Sequence, residues 1–432
     1  MSIGSSTVRI SRRVFQRICC FTARLSPGEH ECTDGPPGAS KPWSTKCGGA
    51  IPPVESGVPV GKRSEFLFLS EPDCIAAGVL DAARCVDVSE EVFRLLADGD
   101  YLMGGTNHNS HGIGLVFPER SPFPNMPVAG PDRRFVAMPG YLGGRFDVCG
   151  NKWYGSNHAN ADKGLPRSVL TLMLNDKDTG EPLCLMSANL ISSARTGAVP
   201  AVAARHLART SASSIAVLGT GVINRACLRA IATQLPGLTR VYCYDLFEAA
   251  AERFAEWVRQ ELGLEAVVEL DLPVALQDAE VVTVAASRIK PLTIQESWLA
   301  PGATVLISGP LAADDEFWAN TRIVLDHVPL HEAYVEEAEA APDKQAAYNA
   351  VIGGPIYRLI DDGQLPPLKD FADLGSVLGG RAAGRTSDDE RIAFVACGMS
   401  VFDVAWGYEL YRSAHAAGLG QSLLLWDSPH GD

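Results

Sequence analysis

The segment with the clearest chemistry is a glycine-containing turn between an apolar run and a stretch of helical apolar spacing. Residues 214–218 lead into Gly219 and Gly221, and apolar residues recur after them at helical intervals. In such a strand–turn–helix unit, the first glycine permits a tight turn and the second lets the backbone approach a pyrophosphate, which the helix N-terminus stabilises. The pattern predicts a dinucleotide-binding turn formed by Gly219, Thr220, Gly221, Val222 and Ile223.

An acidic residue ends the next apolar run. Asp245 follows Val241-Tyr-Cys-Tyr, where a carboxylate can accept hydrogen bonds from a ribose diol. Its charge would repel a 2′-phosphate, so NAD is expected as the cofactor, with NADP as the less favoured alternative. The third small residue of the usual motif is replaced by Asn224, which predicts looser packing of helix on strand. A purely structural glycine turn is the other interpretation, and the flanking runs and Asp245 disfavour it.

The elements that would position these residues alternate along the chain. Apolar runs at 280–284, 304–308 and 323–326 are separated by helical or polar stretches, as in a parallel sheet. The fold class predicted is α/β, with a Rossmann-type doubly wound parallel sheet. Upstream, residues 65–69 are predicted to form a buried strand followed by a helix that is capped within 70–73. Residues 101–150 are rich in Gly, Pro, Asn and His, which predicts loops between short strands.

Bulk composition limits the function classes. A chain of 432 residues is too long for one compact core, which predicts two domains. The formal net charge of −14 argues against a nucleic-acid partner, and no apolar run is long enough for a membrane span. Eleven scattered cysteines without a CxxC pair predict reduced thiols in a cytoplasmic enzyme and no metal site.

The first 63 residues differ from the rest, with nine basic residues, four acidic ones and little hydrophobic periodicity. Such a segment buries too little apolar area to offset its ordering entropy. It is expected to be a disordered extension, or to result from a start codon assigned too far upstream. An Arg-rich transit peptide would have a similar composition.

Several motifs occur in an order that resembles the ornithine cyclodeaminase/mu-crystallin family. They are Met138-Pro-Gly-Tyr-Leu-Gly-Gly, Gly150-Asn-Lys152-Trp, Ala194-Arg195-Thr-Gly-Ala, the Gly-Thr-Gly-Val turn, and Leu378-Gly-Gly-Arg with Gly384-Arg-Thr-Ser further on. The resemblance covers roughly residues 64–425. Residues 101–109 and 123–127 also resemble a subgroup of the family whose members are labelled as subunits of tyramine oxidase.

The resemblance implies a domain organisation and a reaction. Residues 64–195, with a C-terminal return at 390–425, would form an α+β substrate and dimerisation domain, and residues 196–389 the NAD-binding domain. A long helix at 192–208 would link the two, and the protein would be a homodimer. NAD would take a hydride from the α-carbon of an amino-acid-like substrate, giving an iminium. Cyclodeaminases then lose ammonia and close a ring, whereas other members stop at the imine or reduce it.

The resemblance also implies residue roles. Lys152 matches the active-site lysine, and Arg195 matches the arginine that holds the substrate carboxylate. An ammonium beside an imine carbon can act as an acid or, with a lowered pKa, as a base, and a guanidinium grips a carboxylate at two points. A further substrate arginine is expected upstream of Met138, where Arg120, Arg133 and Arg134 are candidates. The alternative is that Lys152 is a solvated surface lysine and Arg195 an ordinary helix charge.

Two positions depart from the cyclodeaminase pattern. The aspartate after the fourth strand of the nucleotide domain aligns with Ser287, and a water-activating glutamate aligns with Val136. A serine cannot act as a carboxylate base and a valine cannot orient water by charge. Hydride transfer between an amino acid and its imine or keto form is therefore predicted. An ammonia-lyase and a non-catalytic accessory or binding protein remain alternatives.

Expectations also follow for three further groups of residues. Ser287 and Arg288 are predicted to lie at the cofactor, with a structural salt bridge as the alternative for Arg288. His108 and His111 are predicted to make loop hydrogen bonds rather than to act in catalysis. Gly398 is expected to permit close approach to the nicotinamide ring.

Overall fold

The computed structural model describes residues 61–105, 107–286 and 291–430. The expected extension at 1–63 falls almost entirely outside these residues, and so do Ser287 and Arg288. Within the described part, no helix has both the length and the apolar character needed to cross a membrane.

The first of two large sheets is mixed and contains both ends of the described chain. Its order is β18-β1-β7-β6-β5-β4-β2, and β3 also pairs with β4. All neighbours are antiparallel except β1 and β7. The strands are β1 (Ser64–Leu69), β2 (Tyr101–Met103), β3 (Ile113–Val116), β4 (Arg134–Leu142), β5 (Val148–Ser156), β6 (Ser168–Asn175), β7 (Pro182–Ser187) and β18 (Gln421–Trp426).

The second sheet is entirely parallel and has the order β10-β9-β8-β11-β13-β17-β15-β16. This confirms the predicted α/β class, including the three runs expected to be strands. The strands are β8 (Ser214–Leu218), β9 (Arg240–Tyr244), β10 (Glu265–Val268), β11 (Val281–Val284), β13 (Thr304–Ile307), β15 (Arg322–Leu325), β16 (Ala372–Asp373) and β17 (Ile392–Val395). A small parallel pair consists of β12 (Leu292–Ile294) and β14 (Leu311–Ala313).

Twelve helices connect or cover the sheets within the described residues. They are α1 (Glu71–Ala76), α2 (Ala82–Asp98), α3 (Asn189–Leu207), α4 (Val222–Ala232), α5 (Glu248–Trp257), α6 (Leu272–Gln277), α7 (Asp315–Asn320), α8 (Val328–Glu339), α9 (Lys344–Asn349), α10 (Gly354–Asp361), α11 (Leu374–Leu378) and α12 (Ser400–Ala417). Ser70 caps α1 together with Asp73 in a capping box, as the sequence predicts.

Helix α3 lies between the two sheets and is buried on most sides. It packs against α2, α4 and β13, and its many alanines let these neighbours approach closely. Ala198, Ala201 and Ala204 are fully buried. A helix without a strongly polar face is stable only inside such a sandwich. The helix predicted at 192–208 is therefore present and begins three residues earlier.

The chain returns from the parallel sheet to the first sheet later than the sequence analysis expected. Strand β17 pairs with β13 and β15 in the parallel sheet, although the proposed boundary placed residues from 390 onward with the substrate domain. Only α12 and β18 join the first sheet, where α12 packs against β4 and β5 and β18 pairs with β1. Along this chain the return therefore begins after β17.

Candidate active site

The glycine turn after β8 has the shape that a dinucleotide site needs. Gly219 has a φ of +88°, and a Cβ there would lie 2.8 Å from the Cα of Ala286, so a larger residue would strain the turn. A Cβ on Gly221 would meet nothing within 4 Å. The glycine thus faces open space where α4 begins, and the first amides of a helix lack helical partners. The turn fits a pyrophosphate.

Asp245 connects the end of β9 to this turn. Its Oδ2 accepts hydrogen bonds of 2.8 Å from both the amide and the hydroxyl of Thr220, and its Oδ1 accepts one of 3.1 Å from the amide of Phe247. A carboxylate oxygen has two lone pairs, so Oδ1 retains capacity for a further donor. Asp245 is partly exposed and is therefore accessible to a ribose hydroxyl.

Asn224 stabilises the turn from the protein interior. Its side chain is fully buried, and Nδ2 donates to the carbonyl oxygens of Leu218 at 2.8 Å and Gly219 at 2.6 Å. Its Oδ1 accepts a 3.0 Å hydrogen bond from Thr283 on β11. Instead of loosening the contact between helix and sheet, as the sequence suggested, Asn224 joins α4 to β8 and β11 through hydrogen bonds.

We expect Asp245→Ala to weaken NADH binding about tenfold and NADPH binding much less, because hydrogen bonds to a charged group contribute about 1.5–3 kcal/mol. Fluorescence titration with each cofactor measures the two affinities. Thr220→Val is the matched control, since it removes the hydroxyl that contacts Asp245 but keeps the carboxylate. An unchanged ratio of NADH to NADPH affinity in Asp245→Ala would place the ribose elsewhere.

Lys152 and Arg195 meet at a buried carboxylate that sequence reasoning missed. Lys152 lies on β5, Arg195 on α3 and Asp403 on α12, and their exposed fractions are 2%, 5% and 0%. Lys152 Nζ donates to Asp403 Oδ2 at 2.8 Å, while Arg195 Nε forms an ion pair with Oδ1 at 3.1 Å, outside hydrogen-bond geometry. Asp403 thus balances one of two adjacent cations, which leaves one net positive charge.

The alternation of residues in β5 explains why Lys152 points inward. Gly150, Lys152 and Ser156 are buried, whereas Trp153 between them is exposed. The inward face of β5 lies under α12, which carries Asp403. A lone acid in the apolar stretch Val-Phe-Asp-Val-Ala-Trp of 401–406 is the signal that could have identified this residue.

The surroundings change the pKa values of two groups. Burial first, and then the charge of Arg195, lower the pKa of Lys152 to about 8, although Asp403 acts in the opposite direction. Burial, followed by the charge of Lys152, lowers the pKa of His111 to about 4. Lys152 therefore exchanges its proton near neutral pH, and His111 is neutral there.

His111 is also part of the site. Its Nδ1 lies 2.8 Å from the carbonyl oxygen of Gly398, which can only accept, so Nδ1 carries the hydrogen. The ring stacks on Tyr334 with centroids 6.1 Å apart. The predicted loop hydrogen bond is present, and the same residue lines the cleft. His108 is exposed with a φ of +60°.

Two adjoining cavities form one cleft between the sheets. The inner cavity, of about 90 Å³, lies between α3 and the carboxyl ends of β13 and β17, and is lined by Arg195, Ser308 and Gly398 among others. The outer cavity, of about 200 Å³, is lined by residues of the first sheet and of the segment after α9. Ile352 and Cys397 line both cavities. The cleft therefore runs from the carboxyl edge of the parallel sheet to the first sheet.

A buried hydrogen-bonded chain fixes the backbone where the cavities meet. Asp326 Oδ2 accepts from the amides of Cys397 at 2.7 Å and Gly398 at 3.2 Å. Its Oδ1 lies 2.9 Å from His331 Nε2, and His331 Nδ1 lies 2.8 Å from the hydroxyl of Tyr357. Gly398 has a φ of +82°, and a Cβ there would lie 3.0 Å from Arg195 Nη1. A glycine is therefore needed to leave room for the guanidinium.

The three candidate arginines upstream of Met138 lie in different places. Arg133 donates a 3.1 Å hydrogen bond to the carbonyl oxygen of Val128 and does not line the cleft. Arg134, the first residue of β4, lines the outer cavity. Arg120 is exposed in the segment between β3 and β4 and is not among the side chains that line the cleft. Val136, which the motif resemblance aligns with a glutamate of cyclodeaminases, is 6% exposed and contributes to the wall of the outer cavity.

Several known proteins are similar to this chain in sequence or in structure. The N-((2S)-2-amino-2-carboxyethyl)-L-glutamate dehydrogenase of Staphylococcus aureus is 30% identical over 295 residues, which are 68% of this chain and 82% of that protein. A solved archaeal alanine dehydrogenase dimer with bound NAD has a TM-score of 0.67 at 25% identity, covering 84% of this chain and 100% of that one. The Δ1-pyrroline-2-carboxylate reductase of Thermococcus litoralis, solved with NADH and L-proline, has a TM-score of 0.68 at 22% identity, covering 83% and 100% of the two chains.

At 22% identity the last likeness shows a shared fold only, whereas the first two are also related in sequence. Their names describe dehydrogenases, which agrees with the expected reaction type, and the bound NAD agrees with the expected cofactor. The model of the ornithine cyclodeaminase/mu-crystallin family matches residues 79–418, most of the described chain. This confirms the resemblance inferred from the motifs, and the chain belongs to the ornithine cyclodeaminase/mu-crystallin family.

Proposed function

We propose that the protein is an NAD-dependent oxidoreductase that interconverts an α-amino acid and its imine or keto form. The observation that carries the proposal is that Arg195 lines a cleft at the carboxyl edge of the parallel sheet and is joined to Lys152 through the buried carboxylate of Asp403. Ligands of doubly wound sheets bind at this edge. An amine and a guanidinium buried there suit a substrate with an α-carboxylate.

NAD would be held by the residues of the turn after β8. The open face of Gly221, the first amides of α4 and the carboxylate of Asp245 suit the pyrophosphate and the ribose. Bound NAD supplies the hydride acceptor. Asn224 and Thr220 keep the turn in place through their hydrogen bonds to β8 and Asp245.

Arg195 and Lys152 have different roles in the proposed reaction. Arg195, held at Nε by Asp403, has its terminal nitrogens available to orient a carboxylate. Lys152, with a pKa of about 8, accepts a proton from the substrate amine during oxidation and returns it during imine reduction. Lys152 and Asp403 are almost completely buried, so bulk water has little access to the amine that carries the proton.

The cyclodeaminase alternative is less well supported by the described residues. Val136 occupies the cavity wall where a carboxylate would orient water, and none of the described side chains lining either cavity is acidic. Asp403 is engaged by two cations. Net oxidation or reduction therefore suits the cleft better than ammonia loss with ring closure.

Incubating the protein with NAD and a panel of α-amino acids tests the proposal. Growth of the NADH absorbance band with at least one amino acid is expected, together with consumption of NADH in the presence of ammonia and the matching keto acid. Ammonia release without net NADH would indicate the lyase instead. NADH binding without either reaction would favour a non-catalytic protein, an alternative that the resemblance to the tyramine oxidase subgroup keeps open.

We also propose that the substrate domain forms a homodimer through the outer face of the first sheet. Phe135, Trp153 and Val169 on neighbouring strands are 37%, 42% and 50% exposed, and the rings of Phe135 and Trp153 stack with centroids 5.5 Å apart. Exposed apolar patches of this kind mark interfaces. The related archaeal alanine dehydrogenase was solved as a dimer.

Light scattering coupled to size exclusion measures the oligomeric state. Trp153→Asp is expected to convert a dimer to a monomer, because a charge would be buried at the centre of the interface. Leu270→Asp changes an equally exposed leucine beside α6 and should leave the dimer intact. A monomeric wild-type protein, or a dimer that survives Trp153→Asp, would contradict this interface.

A further inference from the structure

The outer cavity contains a second cation that the proposed reaction does not use. Arg134 lines this cavity together with His111, Tyr154, Tyr334 and Val136. Its Nε is buried without a hydrogen-bond partner among the described residues, although the side chain as a whole is 38% exposed. A buried guanidinium N–H without an acceptor is energetically costly, and the exposed part of the same side chain is what a ligand in the cavity can contact.

The carboxylate that pairs with Arg134 is shared with a second cation. Asp132 Oδ1 lies 3.2 Å from Arg134 Nη2, and Asp132 Oδ2 lies 3.2 Å from Arg167 Nε. Two guanidinium groups therefore share one carboxylate, which leaves one positive charge. Asp132 is not among the residues that line the cavity, so the cavity itself presents the cation and no acid.

The strand register shows how far Arg134 lies from Lys152 along the sheet. Met138 is paired with Lys152, Val136 with Tyr154, and Arg134 with Ser156. These pairs are successive rows on the inward face, and four residues of strand span about 13 Å. A small molecule in the two adjoining cavities can meet Arg134 at one end and, at the other, Arg195, which is joined to Lys152 through Asp403. Tyr154 and Val136 form the wall between those ends.

Resting on the proposed function, we infer that the substrate is an α-amino dicarboxylate, or its imine, whose distal carboxylate binds Arg134. Arg195 and Lys152 hold the α-carboxylate and the amine at the inner end of the cleft. The half-apolar wall formed by Tyr154 and Val136 contacts the methylene groups between the two carboxylates. Arg134 thus determines specificity and takes no part in the transfer of hydride or proton.

Kinetics with matched substrate pairs test this assignment. Aspartate, glutamate and 2-aminoadipate are compared with asparagine, glutamine and norleucine, using NAD and the full-length protein. The wild type is expected to prefer the best dicarboxylate over its neutral counterpart by at least about thirtyfold in kcat/KM, as expected for a charge-assisted contact. Arg134→Gln should reduce this preference to about threefold or less, with little change in kcat/KM for the neutral substrates.

Arg167→Gln is the matched control, because Arg167 shares Asp132 with Arg134 but does not line the cavity. It should retain the wild-type preference. Equal losses on charged and neutral substrates in Arg134→Gln, or a wild type that favours the neutral substrates, would overturn the inference.

A binding measurement separates this inference from the proposed redox function. In the NADH-saturated protein, glutarate should raise the melting temperature more than butyrate does, and Arg134→Gln should remove that difference. If this holds while no amino acid reduces NAD, the anion subsite stands and the proposed oxidoreductase activity fails. If glutarate and butyrate act equally on the wild type, the subsite is refuted whatever the enzyme catalyses.

Discussion

Replacing Lys152 with alanine is expected to lower kcat/KM for amino-acid oxidation by about a thousandfold, within the range for loss of a general acid–base group. The amine is buried beside Asp403, and none of the described lysines lines either cavity, so no other side-chain amine can take its place. The dinucleotide turn lies on the other sheet. The dissociation constant for NADH should therefore change by less than about threefold, as measured by fluorescence titration.

The variant should still fold. Without Lys152, Asp403 remains paired one-to-one with Arg195, so no buried charge is left without a partner. Lys177→Ala is the control, since Lys177 follows β6 in the same sheet and pairs with Asp147 and Asp178 at the surface. Its activity should match that of the wild type.

Addition of a small primary amine provides a chemical check on Lys152→Ala. Partial recovery of turnover that increases with amine concentration is expected, because the truncation leaves space beside Asp403. Activity within tenfold of the wild type, or parallel loss of NADH binding, would assign Lys152 a structural role instead.

The parallel sheet could be predicted from sequence because its signals are local. Each of its buried strands is a short apolar run, and the turn at Gly219 depends on backbone geometry that a glycine reveals. The position of Asp245 at the end of β9 follows from the same strand–turn–helix order. These features need no knowledge of distant contacts.

The first sheet was harder to predict because its strands contain residues typical of loops. Segment 101–150 was expected to be loops and short strands, yet β4 has nine residues, and β5, which begins at Val148, also has nine. Gly140 and Gly150 lie within these strands because a Cβ at either would crowd α12, at 2.9 Å from Ser400 Oγ and 2.8 Å from Val404 Cγ2 respectively. The close packing of α12 on these strands requires glycine at both positions, and the local sequence does not reveal that packing.

The site depends on contacts across the chain, and for that reason only part of it was predictable. Lys152 and Arg195 were identified through a family resemblance rather than through spacing. Asp403 lies 251 residues beyond Lys152 along the chain. His111, which lines the outer cavity, is hydrogen-bonded to the carbonyl oxygen of Gly398, 287 residues further along the chain. No periodicity in one sequence relates positions so far apart.

Replacing Asp403 with asparagine is expected to shift the pH dependence of catalysis. Asp403 favours the charged ammonium and thereby raises the pKa of Lys152, against burial and Arg195, which lower it to about 8. In the wild type, kcat/KM for oxidation should rise with pH through about 8 as Lys152 loses its proton, and imine reduction should fall over the same range. Without the carboxylate, both inflections should move to lower pH.

The same substitution should lower stability and turnover. Asp403 is completely buried between two cations, and breaking a buried ion pair costs about 3–5 kcal/mol, which denaturant unfolding measures. With Lys152 and Arg195 less firmly oriented, kcat/KM should fall about a hundredfold at the pH optimum, since misplacement of about 1 Å has effects of that size.

Glu409→Gln distinguishes a specific effect of Asp403 on Lys152 from a general destabilisation of α12. Glu409 lies on the same helix and forms ion pairs with Arg84 and Arg145, so its loss also removes a carboxylate shared by two cations. This control should destabilise the protein without moving the inflection near pH 8. If Asp403→Asn and Glu409→Gln lose stability alike and both keep the wild-type inflection, Asp403 stabilises the fold only. A downward shift confined to Asp403→Asn would instead mean that this carboxylate determines the protonation state of Lys152.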